Sequence, residues 1–281
     1  MAFSILIDST ADIPLIRAQA MGLTVVPLTV HFGEQEYKDG IDLTTSEFFA
    51  KLQNCEELPK TSQAPVQAFL DAFGNVDESQ EILVLLISQK LSGTYQSAYI
   101  AKQTLGRANI HLVDTGSGSF GSMLLIEEAV RLREKGVSAS QAAQILHALK
   151  ERLYIFAAVD TLKYLHKGGR LPSTIAIVGG LLKIKPVLGV HDGEIHMAGK
   201  VRGNASAYQK IVEIVQEYGI DRNYRPIIGS AQCPTNAAQF TKAVEQGLGL
   251  TDWGTCEIGV VIGTHTGPGC VGIAFIAKKE K

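Results

Sequence analysis

Six consecutive apolar residues, Ile82 to Ile87, are the feature that most restricts how this chain can fold. A short apolar run with β-branched members is typical of a strand buried on both faces, as in a parallel sheet covered by helices. Ser92-Gly93-Thr94 follows, and residues 95–105, which contain no Gly or Pro, predict a helix. A small polar turn between a strand and a helix can bind an anion, because free N–H groups and the helix dipole meet there. Taken alone, the turn also fits a plainer interpretation, in which Ser92 or Thr94 only caps the helix.

The N-terminal segment has a similar order of elements. Residues 3–7 predict a buried strand, Asp8-Ser9-Thr10 a polar loop, residues 13–21 a helix and residues 24–30 a second strand. This βαβ unit predicts a parallel sheet with the polar loop at its carboxyl edge, where ligands of open α/β sheets bind. Strands and helices continue to alternate to about residue 153. We therefore expect an α/β domain over residues 1–153, with helices on both faces of a parallel sheet.

The pattern changes in the second part of the chain. Asp192-Gly193 between apolar segments predicts a β-hairpin. Apolar runs at residues 227–231, 256–262 and 271–277 predict further strands, and two long helices are expected among them. Hairpins combined with long helices favour an α+β domain with a mostly antiparallel sheet over residues 154–281. No low-complexity linker separates the two parts, so we expect them to pack directly on each other.

Composition excludes several classes of protein. The chain has 281 residues, of which 46% are hydrophobic and 19% charged, so it can bury a real core. A net charge of −2 argues against a nucleic-acid-binding protein, which normally presents a basic face. The four cysteines are far apart and form no CxxC motif, so we expect no zinc site and a reducing, cytoplasmic environment. No apolar run approaches the roughly 20 residues of a membrane span.

Five loops are rich in hydroxyl groups or glycine, and their side chains could hold a carboxylate or a phosphate. At least three of them follow predicted strands of the parallel sheet, so they could converge on one edge. Each loop alone is also compatible with ordinary turn chemistry. The five loops are residues 8–10, 60–63, 92–94, 114–117 and 264–269.

Segments distributed over the whole chain together resemble the DegV family. They are ILIDSTAD (residues 5–12), KTSQ (60–63), LSGTYQSA (91–98), VDT (113–115), LKYLHKGGR (162–170), KPV (185–187) and THTGPG (264–269). The resemblance implies a two-domain fatty-acid-binding protein of the bacterial cytoplasm. Such a protein presents a long-chain fatty acid to a separate kinase, which phosphorylates the carboxylate with ATP, and the acyl phosphate enters phospholipid synthesis. The carrier itself is not expected to be an enzyme or to need a cofactor or metal. No ATP-binding motif is visible in the sequence.

The resemblance also implies roles for particular residues. Ser92 should hydrogen-bond the fatty-acid carboxylate, Thr61 and His265 should complete that network, and backbone N–H groups near Gly93 and Thr94 should assist. The acyl tail is expected in the second domain, among residues 175–182 and 256–262, because packed helices leave little room in the first.

Two arginines, Arg170 and Arg202, are similar to family arginines that meet the kinase. Arg170 follows Gly168-Gly169, and we expect this turn to project from the surface. A solvated basic surface or a contact between domains would explain the same two residues.

A standalone esterase or acyl hydrolase is the alternative from a different class. It would use Ser92 as nucleophile and His265 as base, although Ser92 does not stand in a G-x-S-x-G motif.

Overall fold

A computed structural model describes residues 3–175 and 184–278. The elements of the first half are β1 (Ser4–Asp8), a short 3-10 helix (Ser9–Ala11), α1 (Leu15–Ala20), β2 (Leu23–Val26), β3 (Thr29–Phe32), β4 (Gln35–Lys38), α2 (Thr45–Asn54), β5 (Lys60–Ser62), α3 (Val66–Gly74), β6 (Ile82–Leu86), α4 (Thr94–Leu105), β7 (Ile110–Asp114), α5 (Ser119–Glu134) and α6 (Ala139–Lys150). Those of the second half are β8 (Leu153–Ala158), α7 (Lys163–Lys167), β9 (Ile184–His191), β10 (Glu194–Arg202), α8 (Asn204–Tyr218), β11 (Ile227–Ser230), α9 (Pro234–Leu248), β12 (Gly254–Glu257), α10 (Val260–Thr266) and β13 (Val271–Ile276).

The first half contains the predicted parallel sheet, in the order β2-β1-β6-β7. Every residue of β6 is buried, as the uninterrupted apolar run from Ile82 predicted. After the carboxyl end of β6, the chain turns at Ser92 and Gly93 and enters α4. The predicted strand, polar turn and helix are therefore confirmed.

The second half contains a six-stranded sheet in the order β10-β9-β8-β13-β11-β12. Its first four pairings are antiparallel, and only β11 and β12 run parallel. The predicted hairpin at Asp192-Gly193 joins β9 to β10, and both residues have positive φ angles, as such a tight turn requires. The prediction of an α/β fold with a mostly antiparallel second sheet is confirmed.

Two predicted strands were wrong in detail. The expected strand at residues 24–30 is split at Pro27, which has no N–H for a ladder, and its second part joins a small antiparallel sheet of β4, β3 and β5. The expected strand at residues 256–262 ends at Glu257, and α10 begins at Val260. Of the segment 175–182, residues 176–182 lie outside the described residues.

Helix α5 joins the two halves. It packs against the parallel sheet through β6 and against the second sheet through β8, β11 and β13. It is buried on nearly all sides, which is typical of a core helix. Its close packing needs glycines, since a Cβ at Gly121 would lie 2.6 Å from Ile155 Cδ1 and one at Gly229 would lie 2.1 Å from Phe120 Cδ1. The expected direct packing of the two halves is present. Among the described residues, no helix is both long and apolar enough to span a bilayer.

Buried carboxyl groups from the first half meet the start of α10. Asp12 accepts a hydrogen bond from Ser119 Oγ, and its Oδ1 lies against Gly259, where an added Cβ would come within 2.4 Å. The carboxyl of Asp39 faces the backbone N–H groups of Val260 and Val261. These N–H groups belong to the first helical turn, which has no intrahelical acceptor for them. Burial, followed by the charge of Asp8, raises the pKa of Asp39 to about 7.

We expect Asp39→Asn to remove a pH dependence of stability. The carboxyl has a pKa of about 7 when folded and 3.8 as its ordinary value, so the folded chain retains a proton that the unfolded chain releases. The free energy of unfolding should therefore fall as the pH rises from about 4 to about 7, by at most about 4 kcal/mol. Denaturant unfolding of both proteins at about pH 5 and about pH 8 measures this. If the free energies of unfolding of wild type and variant differed by the same amount at both pH values, the prediction would be contradicted.

Candidate functional site

A cavity of about 410 Å³ lies between the two halves, within the size range of small-molecule pockets. Its walls are mostly apolar and come from both halves. The first half contributes Leu28, Ile87, Leu91 and Phe120, and the second contributes Ile155, Ala157, Val159, Leu165, Leu188, Val190, Ile195, Ile258, Val261 and Ile262. Of the segment 256–262, where the tail was expected, Ile258, Val261 and Ile262 line the cavity, the last two from α10.

Several polar groups of the cavity lie close together. Thr61, Ser92, Gly93 and His265 of the predicted site line the cavity, and Arg170 lines it with them. These residues come from β5, the turn before α4, α10 and the turn after α7. The fold therefore brings together residues that are up to 204 positions apart in the sequence.

Two predicted residues are not among those that line the cavity. Thr94 is fully buried behind Ser92, and its Oγ1 lies 2.9 Å from Ser92 Oγ and accepts a bond from Ala64 N at 3.4 Å. Its side chain therefore orients the serine. Arg202 is exposed at the end of β10, away from the cavity lining.

Two of the hydroxyl-rich loops do not line the cavity but bind the backbone that leads to Ser92. Asp8 Oδ2 accepts a hydrogen bond from Ile87 N at 2.7 Å, and Thr115 Oγ1 donates to Leu86 O at 2.9 Å. Ser88 N donates to Ser117 O at 2.8 Å. The loops at residues 8–10 and 114–117 thus fix the end of β6 that leads to Ser92, and their own hydroxyls do not line the cavity.

His265 lies in the last turn of α10, rather than in a loop between strands as the sequence predicted. Its Nε2 is 2.9 Å from Thr61 Oγ1, while its Nδ1 is buried and has no hydrogen-bond partner in the part of the chain that the structure describes. Burial, and to a lesser extent the positive charge of Arg170, lower the pKa of His265 to about 4, so the imidazole is neutral at neutral pH. We assign its proton to Nε2, because a proton on Nδ1 would be a buried donor without an acceptor. Thr61 then accepts from His265, and its hydroxyl proton can be donated into the cavity.

Arg170 supplies the positive charge of the cavity. Its side chain is half-buried, its Nε donates to Leu91 O at 3.2 Å and its Nη1 donates to Gly168 O at 2.7 Å. The Arg170 side chain thus folds back onto the Ser92 loop, whereas Gly169 of the same turn is exposed, as expected of a projecting turn. Of the described residues that line the cavity, Arg170 is the one with a permanent charge, and none is acidic. An anion is therefore the charged group that this region can accept.

The structure does not support the esterase alternative. A catalytic serine needs a hydrogen bond to its base, and the base needs an orienting group on its second nitrogen. Ser92 is instead bonded to Thr94, and His265 Nε2 to Thr61. His265 Nδ1 has no hydrogen-bond partner among the described residues.

Some residues that line the cavity were not predicted from the sequence. Ile155, Ala157 and Val159 line the cavity at a spacing of two, as the inward face of β8 and the residue that follows it. That alternation is present in the sequence, but both faces of β8 are buried, so hydrophobicity alone could not show which face borders a cavity. Within the described residues, no group of three or more His, Cys, Asp or Glu side chains could hold a metal ion, and the four cysteines are free.

Comparison with known proteins identifies the family. A family model described as "Uncharacterised protein, DegV family COG1307" matches residues 2–278. A DegV domain-containing protein of Caldanaerobacter subterraneus is 32% identical over 280 residues, which cover 98% of this chain and 99% of that protein. The chain belongs to the DegV family.

Solved structures of family members have the same fold. A fatty-acid-binding DegV family protein of Thermus thermophilus superimposes with a TM-score of 0.89 at 31% identity, over 99% of this chain and 100% of that chain. A stearic acid-binding protein of Eubacterium ventriosum gives a TM-score of 0.89 at 30% identity, over 98% of each chain.

The assignment of a neutral His265 can be tested by titration. We expect its ring to remain neutral down to about pH 5, and Arg170→Ala to raise its pKa while leaving it below the ordinary value of 6.5, because burial is the larger cause. Nuclear magnetic resonance of the ring nitrogens measures both values. A wild-type His265 that titrates near 6.5 would contradict the assignment.

Proposed function

We propose that this member of the DegV family binds a long-chain fatty acid in the cavity and presents its carboxylate to a separate, ATP-dependent fatty acid kinase. The observation that carries the binding role is one cavity with mostly apolar walls and a polar region that contains Thr61, Ser92, Arg170 and His265. That arrangement is complementary to an amphiphile with one anionic end. The fatty-acid-binding relatives of Thermus thermophilus and Eubacterium ventriosum, which share its fold, support the proposal.

The carboxylate is held by neutral donors in this proposal. Ser92 and Thr61 donate their hydroxyl protons, and backbone N–H groups near Gly93 and Thr94 assist. Such bonds are necessary because an unpaired buried carboxylate is costly, whereas charge-assisted hydrogen bonds are strong. His265 acts from behind Thr61, with its Nε2 at 2.9 Å from the threonine oxygen.

The acyl tail supplies most of the affinity. Each CH₂ removed from water contributes about 0.8 kcal/mol, so a long chain can bind tightly without further polar contacts. We propose that the tail lies mainly against the second half, along the inward faces of β8 and β9 and against α10. Phe120 and Ile87 close the cavity from the first half.

Phosphoryl transfer requires a partner that brings ATP. A carboxylate oxygen of the bound fatty acid attacks the γ-phosphorus, ADP leaves, and the product is an acyl phosphate for phospholipid synthesis. Neutral Ser92 and Thr61 hold the carboxylate without competing with it as nucleophiles. Arg170, already fixed at the carboxylate end, can pair with phosphate oxygens, and exposed Arg202 can contact the kinase. The proposed setting is the reducing cytoplasm, where the free thiols of this chain would remain reduced.

Mass spectrometry of an organic extract tests the binding role directly. Purified protein should release a stoichiometric amount of a long-chain fatty acid. Hydrolysis of a nitrophenyl ester that Ser92→Ala abolishes, by a protein that yields no lipid, would instead favour the esterase.

Ser92→Ala and His265→Ala are expected to weaken fatty-acid retention without unfolding the protein. Each variant loses a bond that holds a charged group directly or through Thr61, worth roughly 1.5–3 kcal/mol. Binding of stearate to delipidated protein, with circular dichroism as a fold check, measures the effect. Ser79→Ala is a matched control, because Ser79 is exposed, does not line the cavity, and its hydroxyl is bonded to Asp77. Affinities equal to wild type in both variants would remove these residues from the site.

Arg170→Ala is expected to keep its fatty acid but to lower the rate of acyl phosphate formation with the cognate kinase. Tail burial still retains the lipid, whereas docking and phosphate neutralisation are weakened. The loss should appear mainly in the dependence of the rate on carrier concentration, and Arg170→Glu should be worse. The same rate should be measured for Arg202→Ala, which removes the other proposed kinase contact but leaves the cavity lining unchanged.

The other outcomes for these arginine variants are equally informative. If Arg170→Ala is isolated without lipid, the residue belongs to the pocket or the fold. If it is fully loaded and supports normal turnover, the residue is a surface charge without a role in the transfer.

A further inference from the structure

Two consecutive glycines follow α7, and each is required for a different reason. Gly168 has φ −76° and ψ −5°, a conformation open to any residue, but an added Cβ would lie 2.2 Å from His265 Nδ1. Gly169 has φ +71°, which disfavours a side chain, yet nothing lies within 4 Å of where its Cβ would be. Gly168 is therefore constrained by space and Gly169 by backbone conformation.

A second glycine, Gly267, lies against a ring of α7 in the same way as Gly168 lies against the ring of His265. Gly267, just after α10, has φ +70°, and an added Cβ would lie 2.2 Å from Tyr164 Cδ2. Helices α7 and α10 thus each place a ring against the glycine that follows the other helix. We name these four residues, Tyr164, Gly168, His265 and Gly267, the glycine clasp. Hydrogen bonds from Gly168 N to Tyr164 O and from Gly267 N to Gly263 O, both 2.8 Å, fix the backbone of the two glycines.

The clasp determines which edge of the imidazole faces the site. On one side, the backbone at Gly168 covers Nδ1, which is buried and has no hydrogen-bond partner within residues 3–175 and 184–278. On the other side, Nε2 meets Thr61 Oγ1 at 2.9 Å. The ring is held between these two contacts. Phe48 and Phe49 hold the rest of the helix, since a Cβ at Gly263 would lie 2.9 Å from Phe49 Cζ and 3.0 Å from Phe48 Cε1.

We propose that Gly168 is a positioning residue for the carboxylate site: the space it leaves lets the Nδ1 edge of His265 approach the α7 turn, and this aims Nε2 at Thr61. Gly168 also accepts the bond from Arg170 Nη1 at 2.7 Å, so the same turn positions the arginine. The effect on ligand affinity rests on the proposed fatty-acid function. The position of the His265 ring does not, and it can be measured without ligand.

The paired variants Gly168→Ala and Gly169→Ala separate the two requirements. In delipidated protein, Gly168→Ala should change the ring nitrogen resonances of His265 and weaken stearate binding by about tenfold or more, the equivalent of one charge-assisted hydrogen bond. Gly169→Ala should lower the melting temperature through backbone strain but leave the His265 resonances unchanged. Wild-type resonances in Gly168→Ala, or the same change in Gly169→Ala, would overturn the proposal.

A double-mutant cycle tests whether Gly168 acts through the histidine. In the His265→Ala background the ring is absent, so Gly168→Ala should cause no further loss of stearate affinity. An equal loss in both backgrounds would mean that the glycine acts on the fold alone, which overturns the positioning role. If wild-type protein bound no stearate, the proposed function would fail, while the resonances in the unliganded variants would still decide the role of Gly168.

Discussion

The hydrogen bond between Thr61 and His265 is the contact on which the arrangement of the site depends. It joins a short strand of the first half to a helix of the second, across 204 residues of sequence. Its imidazole is neutral, because burial together with the charge of Arg170 lowers the pKa of His265 to about 4. A neutral histidine leaves Arg170 as the permanent charge among the described lining residues. The site can therefore attract an anion without having to compensate a second buried cation.

Local sequence signals predicted the elements that depend on local interactions. The apolar run of β6 and the hairpin at Asp192-Gly193 are both determined within a few residues. Helix α10 is the contrary case. Val260, Val261 and Ile262 are β-branched and favour a strand, so the sequence predicted one. Tertiary contacts decide otherwise, because carboxyl groups of the first half meet the helix start and two phenylalanines pack against Gly263.

The same division applies to the site. The resemblance to the family supplied Thr61, Ser92, Gly93 and His265, which the structure brings to one cavity. It did not show that the side chain of Thr94 lies behind Ser92, or that Arg170 folds back onto Leu91 O. Nor could it show that both halves supply walls, since that follows from how α5 packs between the two sheets. The position of Thr94 depends in part on Ala64, 30 residues away, and the other features depend on contacts between residues farther apart in sequence, for which no local pattern exists.

Helix α10 has only seven residues, and an isolated helix of that length is unstable in water. Its stability must therefore come from its surroundings, which act at both ends. At the start, Asp12 and Asp39 face N–H groups that would otherwise lack acceptors. At the end, the glycine clasp encloses the ring of His265. The two anchors belong to different halves, so α10 can be helical only when the halves are packed together. The geometry around Thr61 is for this reason a property of the assembled fold, and the polar end of the cavity forms together with the apolar walls that complete it.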